Sequence, residues 1–402
     1  MSKALERLEE FAVDVILERR SGKRATLLRA LLLLLSLLYK QIMRLRLYFY
    51  EERVAKVHSL GCLVVSVGNL TVGGTGKTPV VEIFARALTK GGRRVAILSR
   101  GYKSLPRPWY ERLSDSFKPY ELRRPPRVVS DGRSLLLDSE VAGDEPFMLA
   151  SNLKNVLVLV DKDRVKSGLH AIRKYGVDTL LLDDGFQYLR LKERLDVVLV
   201  DRESPFGNGH MLPRGMLREP KEHLKRASII FITKCDGSDL TKLKAELRRY
   251  NRHAEFIECS HHPVHLEEAY TQERQPLSYL KDQRIGALSG IARPESFEDG
   301  LVKLGADILY SRQYADHHRF TVKELQSMFQ RTKSRGGRVI LTTEKDAVRL
   351  PRLETRPLPV YFLRVEIKIT SGHETFEECV NRLCRTHRHS TKTNPSLVVG
   401  TA

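Results

Sequence analysis

The sequence predicts an α/β fold: a largely parallel sheet with helices on both faces, then a smaller α/β domain, with a helix of membrane character in front. Three observations carry this. Short apolar runs (Leu63–Val67, Arg94–Leu98, Val156–Val160, Leu195–Val200, Ser228–Thr233) are almost uninterrupted, as in strands covered on both sides, and helix-period segments separate them. A glycine-dense turn, Gly73, Gly74 and Gly76, joins the first strand to the first following helix. Around Gln272 to Leu277 the rhythm breaks into polar residues with a proline, and a second strand–helix series begins at Arg284. These marks divide the chain into an N-terminal helical segment (1–58), a nucleotide-binding domain (59–273), a smaller α/β domain (274–385) and a polar, disordered tail (386–402).

The chain has 402 residues and a formal charge of +20, which favours an anionic partner such as an acidic membrane surface or a phosphorylated substrate. Aromatic content is only 7% and no arginine–aromatic ribonucleoprotein motif occurs, which argues against nucleic acid. Five scattered cysteines fit a reducing compartment rather than a disulfide framework. Two loose groups, Cys259/His261/His262/His265 and Cys379/Cys384/His387/His389, lack standard zinc spacing.

Residues 1–25 are charged and rich in acids, unlike a transit peptide, and no cleavable signal is visible. Residues 26–49 hold an uncharged core from Ala30 to Tyr39, bounded by Arg29 and Lys40 and followed by Arg44 and Arg46 among aromatics. That run is short for a span and suits a helix lying in the headgroup region; a buried core helix and a single span are the alternatives.

Next come the strand at Leu63–Val67 and the turn Thr71-Val72-Gly73-Gly74-Thr75-Gly76, then Lys77-Thr78 and an amphipathic helix, Val80–Leu88. Strand, glycine loop and helix with Gly-Lys-Thr is the layout of a P-loop: backbone N–H groups and the helix N-terminus cradle phosphate, the lysine meets the β/γ phosphates, and the hydroxyl of Thr78 can ligate Mg²⁺. Thr71 stands where the usual pattern has glycine. The fold class is therefore P-loop NTPase-like. Residues 103–125, rich in proline, arginine and aromatics, read as a loop or lid hairpin. Gly143-Asp144-Glu145-Pro146 leads into a helix with its acids at the positive end. The strand at Thr179–Leu182 ends in Asp183-Asp184, where P-loop enzymes place the acid that holds Mg²⁺ or its water shell. Asp316-His317-His318 precedes a helix from Val322, and Thr343-Glu344-Lys345-Asp346 follows a strand.

Taken in order, the segments from Val67-Gly68-Asn69 through Lys77-Thr78-Pro79, Ser99-Arg100-Gly101-Tyr102, Gly143 to Pro146, Asp183-Asp184-Gly185-Phe186-Gln187, Leu212-Pro213-Arg214-Gly215, Leu217-Arg218-Glu219, Asp316 to His318 and Thr343 to Asp346 resemble the tetraacyldisaccharide 4′-kinases, the lipid A kinase family. The resemblance runs from about Thr26 to Leu383. It implies transfer of the ATP γ-phosphoryl, with Mg²⁺, to the 4′-hydroxyl of an acylated glucosamine disaccharide 1-phosphate. It also implies peripheral docking on the cytoplasmic face of the bacterial inner membrane through the N-terminal helix. Carried onto this sequence, it makes Asp144 the base for the sugar hydroxyl, supported by His317. Thr71 to Thr78 bind the nucleotide, Thr78, Glu145, Asp183 and Asp184 serve the metal, and Arg164 and Arg218 clamp phosphate groups. The family commonly has histidine where this chain has Tyr188. Thr233-Lys234-Cys235-Asp236 is similar to the base-reading segment of small GTPases. The competing readings are another membrane-associated P-loop NTPase, without a lipid acceptor, and a nucleotide-binding scaffold without turnover.

Overall fold

The computed structural model describes residues 11–119, 122–353 and 355–390. The strands are β1 (Leu63–Asn69), β2 (Val95–Ser99), β3 (Arg127–Ser130), β4 (Leu157–Val160), β5 (Thr179–Asp183), β6 (Leu195–Asp201), β7 (Ile229–Thr233), β8 (Glu255–Glu268), β9 (Arg274–Gln275), β10 (Arg284–Ser289), β11 (Asp307–Gln313), β12 (Val339–Thr343) and β13 (Val360–Ser371). They form one 13-stranded sheet in the order β11-β10-β12-β13-β8-β7-β6-β1-β5-β2-β4-β3, with β9 paired to β8. From β8 to β4 all neighbours are parallel, as are β10 to β13; the two parallel blocks meet through the long antiparallel pair β8–β13.

The helices that matter for the site are α1 (Lys23–Glu51), α2 (Lys77–Lys90), α3 (Trp109–Ser116), α4 (Asp144–Asn152), α5 (Arg164–Tyr175), α6 (Val322–Ser334) and α7 (His373–Ser390). The apolar strands pack both ways, as their composition requires. Val65 and Val67 of β1 and Leu181 of β5 face the core that includes Phe84 of α2, while Val64, Leu180 and Leu182 face the core that includes Val165 and Ala171 of α5. The caps follow local chemistry: Asp163 accepts from the Val165 and Lys166 N–H groups at the start of α5, and Thr321 with Glu324 forms a capping box on α6.

Three departures from the sequence reading have physical causes. Segment 103–125, expected as a loop or lid hairpin, holds among its described residues α3, an eight-residue helix begun after Pro108. β8 shows no strand alternation in sequence because it carries three histidines and Pro263, and its register with β13 shifts at that proline. The last helix continues past Cys384 to Ser390, and the rest of the polar tail lies outside the described residues.

Helix α1 has 29 residues and is the one helix among those described that is long and apolar enough to cross a membrane. It is not a core helix. Leu27, Leu31, Leu34, Leu38 and Ile42 are exposed, whereas Met43 and Leu47 are buried against the body. Its inner side is tied down by polar contacts. The Tyr39 hydroxyl donates to the Arg218 carbonyl at 3.1 Å, Arg46 donates to the Gln187 carbonyl at 2.8 Å, and Lys40 and Arg44 pair with Glu222.

Candidate functional site

All the parallel strands around β1 point the same way, so the segments following β1, β2, β5 and β6 emerge at one edge of the sheet. The site is built there. β1 ends at Asn69, which is buried; its amide donates to the Thr71 carbonyl at 2.7 Å and its Oδ1 accepts from Lys77 Nζ at 3.3 Å. Gly68 has no room for a side chain, since a Cβ would sit 2.6 Å from that of Phe186. Gly76 adopts φ +80° at the mouth of α2, and a Cβ there would meet His261 of β8 at 2.7 Å. Thr71, in contrast, bridges Leu217 in an antiparallel contact, and Val72 N–H donates to the Met216 carbonyl at 2.8 Å. Thr71 is not among the residues with positive φ, so glycine is not needed there.

β5 delivers Asp183 and Asp184, and the two acids live in different environments. Asp184 receives a bidentate fork from Arg218, both bonds 2.8 Å, and lies 3.6 Å from Lys77 Nζ. Burial works against its charge, but the Arg218 bonds and the Lys77 charge prevail and hold the carboxyl far below the usual carboxylate range. Asp183 has one oxygen on the Ser99 hydroxyl at 2.8 Å, and its Oδ1 is buried with no protein partner. Burial, then the charges of Glu145 and Asp184, push it up to about 7. A buried orphan oxygen beside two like charges fits a divalent cation. Among the described residues no three His, Cys, Asp or Glu groups converge as a protein cage. Mg²⁺ does not need one, because it takes one or two carboxylates together with substrate phosphates.

The second part of the site joins α4 to the segments after β10, β11 and β12. Asp144, the first residue of α4, does not cap its helix through its side chain. Its Oδ2 faces His317 Nδ1 at 2.9 Å and accepts from Arg349 Nε at 2.9 Å, with Arg319 at 3.6 Å from Oδ1. Lys345 Nζ lies 3.2 Å from His317 Nε2. Arg349 Nη2 also lies 3.1 Å from His317 Nδ1, so this nitrogen faces a carboxylate acceptor and a guanidinium donor at once, while Nε2 faces the ammonium. Burial of Asp144 opposes its charge, yet the His317 bond and Arg349 keep its carboxyl below the ordinary value. Arg349 is fully buried and also donates to Asp346 Oδ1 and the Gly290 carbonyl, both at 3.1 Å. Tyr102 packs edge-on to His317 at 5.5 Å, whereas His318 turns away to stack on Tyr314 and pair with Glu324.

The comparisons with known proteins agree with one another. A family profile described as tetraacyldisaccharide-1-P 4′-kinase matches residues 28–385. The chain belongs to this family. A tetraacyldisaccharide 4′-kinase of Anaeromyxobacter sp. (strain K) is 41% identical over 82% of this chain and 84% of its own length. One from Geobacter sulfurreducens is 37% identical over 86% and 91%. Among solved structures, LpxK from Aquifex aeolicus in complex with ATP superposes with a TM-score of 0.69 at 29% identity, over 89% of this chain and 99% of that one.

Within the family frame, Tyr188 has a structural place. Its hydroxyl accepts from Arg164 N–H at 3.0 Å and pairs with Asp163, so it braces the start of α5. Arg164 is buried, donates to the Asp183 carbonyl at 3.3 Å and stacks on the Tyr188 ring. Thr233 to Asp236 end β7, with Lys234 paired to Asp201 and Asp236 to Arg202. Sequence reasoning missed Arg349, Arg319, Ser99 and the clamping of Asn69 by Arg218. Arg349 lies three residues beyond Asp346, a helical spacing that would have placed both on one side of a turn.

Proposed function

We propose a division of labour among these residues in ATP-dependent transfer of a phosphoryl group to the 4′-hydroxyl of tetraacyldisaccharide 1-phosphate, the reaction of this kinase family. The observation that carries it is the Asp144 carboxylate, kept ionised by His317 and Arg349 and free of a capping role, at the same sheet edge as a phosphate loop. An alcohol is a poor nucleophile at neutral pH; a fixed carboxylate accepts its proton as the new bond forms. His317 aims that carboxylate and Lys345 orders the imidazole. The loop N–H groups from Gly73 to Gly76 and the Lys77 ammonium hold the β/γ phosphates, while Thr71 and Val72 tie the loop to Leu217 and Met216. Asp184 positions Lys77 and Arg218, and Arg218 in turn fixes Asn69 under the loop. Arg164 sits behind Asp183 and adds positive potential to the phosphate end.

Thr78, Asp183 and Glu145 are the residues that would hold Mg²⁺, with Asp184, also expected there from the sequence, paired to Arg218 and Lys77. When bound, the metal neutralises the phosphate charge that develops during transfer. A cation there would favour the Asp183 carboxylate, offsetting its burial and the repulsion from Glu145 and Asp184.

We further propose that α1 lies on the cytoplasmic face of the inner membrane as a peripheral helix. Its exposed leucine face supports this, as does its cationic inner side bound to the protein body.

The test is incubation of the purified chain in detergent with ATP labelled at the γ-phosphate, Mg²⁺ and the disaccharide 1-phosphate lipid. Label appears on the lipid. Label released only as free phosphate would replace this reading by that of an NTPase.

A further inference from the structure

Segment 102–124 carries the most conspicuous apolar surface that the reaction does not use. It holds the single tryptophan of the chain, Trp109, which is 74% exposed, and Phe117, which is 82% exposed. Tyr110, Leu113 and Leu122 are exposed beside them. The segment is anchored at its base. Arg127 donates to the Leu105 carbonyl at 2.7 Å and the Val141 carbonyl at 2.9 Å, and Leu105 N–H donates to the Glu140 carbonyl. Arg123 pairs with Asp163 at 3.6 Å. Aromatic bulk left in water on a fixed scaffold marks a contact surface.

Charge and topology say which kind. The segment has six Lys and Arg residues against three Asp and Glu. Tryptophan, phenylalanine and tyrosine among cations form the composition of a headgroup-level contact. The segment follows β2, and α1 contacts the segments after β5 and β6, namely Gln187 and Arg218. These strands are parallel and lie in the order β6-β1-β5-β2, so both apolar surfaces leave the sheet at the same edge. At the usual inter-strand spacing they start only about 15 Å apart. Tyr102, at the root of the segment, touches His317.

We propose that residues 102–119 are a second lipid-docking surface, seated on an anionic bilayer by Trp109 and Phe117, so that the membrane grips the protein at both α1 and α3. This goes beyond the kinase reading but rests on its premise that the acceptor is a membrane lipid. Two contacts fix the tilt of the protein on the bilayer, which one helix alone leaves free.

The full-length chain supplies its own probe, because Trp109 accounts for all tryptophan emission. Vesicles of phosphatidylethanolamine and phosphatidylglycerol are prepared with and without lipids brominated near the headgroup. The expected result is a blue-shifted Trp109 emission, quenched by the brominated lipids and protected from aqueous iodide. Phe117→Ser should reduce the blue shift and weaken vesicle partition roughly five-fold or more, with an unchanged melting temperature. Emission that stays red and iodide-accessible while the protein sediments with vesicles would overturn the proposal, leaving α1 as the sole dock. Failure to sediment at all would overturn it as well. A blue shift seen only with the acylated disaccharide in detergent would reassign the patch to substrate acyl chains. Label transfer in the same samples reports on the kinase reading separately.

Discussion

Replacing Arg349 by methionine is the sharpest test of how the acceptor end is wired. The guanidinium is fully buried and donates to Asp144, Asp346 and the Gly290 carbonyl, at 2.9, 3.1 and 3.1 Å. Removing one partner of a buried ion pair costs about 3–5 kcal/mol, because the charge left behind is uncompensated. Both acids keep other partners: His317 and Arg319 for Asp144, and the Gly290 N–H and Thr343 hydroxyl for Asp346. The lower end, about 3 kcal/mol, is therefore expected. The pH dependence has a definite sign. In the wild type the folded Asp144 carboxyl titrates below its unfolded value, so its pairing stabilises the fold above the ordinary aspartate range and is lost as pH falls through the folded value. Without Arg349 two of the lowering influences are gone, and the carboxyl rises relative to the wild type. The stability deficit of the variant is then greatest near neutrality and shrinks toward acid. The acid limb of kcat/KM for the lipid moves to higher pH, and turnover falls roughly 100-fold as the carboxylate loses its aim. Denaturant melts at several pH values and a pH–rate profile measure all three. A deficit independent of pH, with the acid limb unmoved, would refute the reasoning.

Four further outcomes follow from the same geometry. Asp144→Asn should lower turnover about 10²–10⁴-fold while equilibrium binding of ATP stays close to wild type; wild-type turnover would remove Asp144 as the base. Asp183 is raised to about 7, so the folded metal-free protein holds a proton that the unfolded chain releases, and this residue lowers stability as pH rises from about 4 to about 7. Asp183→Asn should flatten that slope, and Mg²⁺ with a nucleotide should flatten it in the wild type; thermal melts across pH read both. Arg46→Gln removes a charged bond to the Gln187 carbonyl, whose side chain holds the Asn69 carbonyl at 3.0 Å, so KM for ATP should rise about five-fold with vesicle sedimentation unchanged. Tyr188→Phe should cost about 1 kcal/mol in a denaturant melt through the start of α5, with little change in label transfer; a large kinetic loss would give the hydroxyl a catalytic part.

The parallel sheet was legible because its strands are buried on both faces and read as continuous apolar runs, as at Val64 to Val67 and Leu180 to Leu182. The phosphate loop was legible because glycine, lysine and threonine at fixed spacing serve one chemistry. β8 was not, since a strand that carries His261, His262, Pro263 and His265 and pairs antiparallel with β13 has no apolar alternation to read. Asp144 and His317 were found through the family's ordered segments; their contact spans 173 residues of sequence and no local pattern encodes it. Arg349 escaped because an arginine reads as a surface residue until its partners are known. The hairpin expected at 103–125 gave way to α3 because proline and arginine mark an irregular segment without saying whether a turn of helix starts inside it.

Helix α7 has a consequence for how the protein comes into being. Its Phe376 packs edge-on against Phe84 of α2 at 5.1 Å and against Phe231 of β7 at 6.4 Å, and Cys379, Val380 and Leu383 belong to the same core. Arg93, just beyond α2, donates to the Leu383 carbonyl. The helix that begins with Lys77 therefore receives part of its packing from residues ~300 positions later in the chain, a contact of high order. During synthesis the helix behind the phosphate loop is made long before the α7 residues that cover Phe84, so part of its apolar side waits for them. The loop sequence is thus complete well before the core that backs its helix, and α7 joins the two by closing over Phe84.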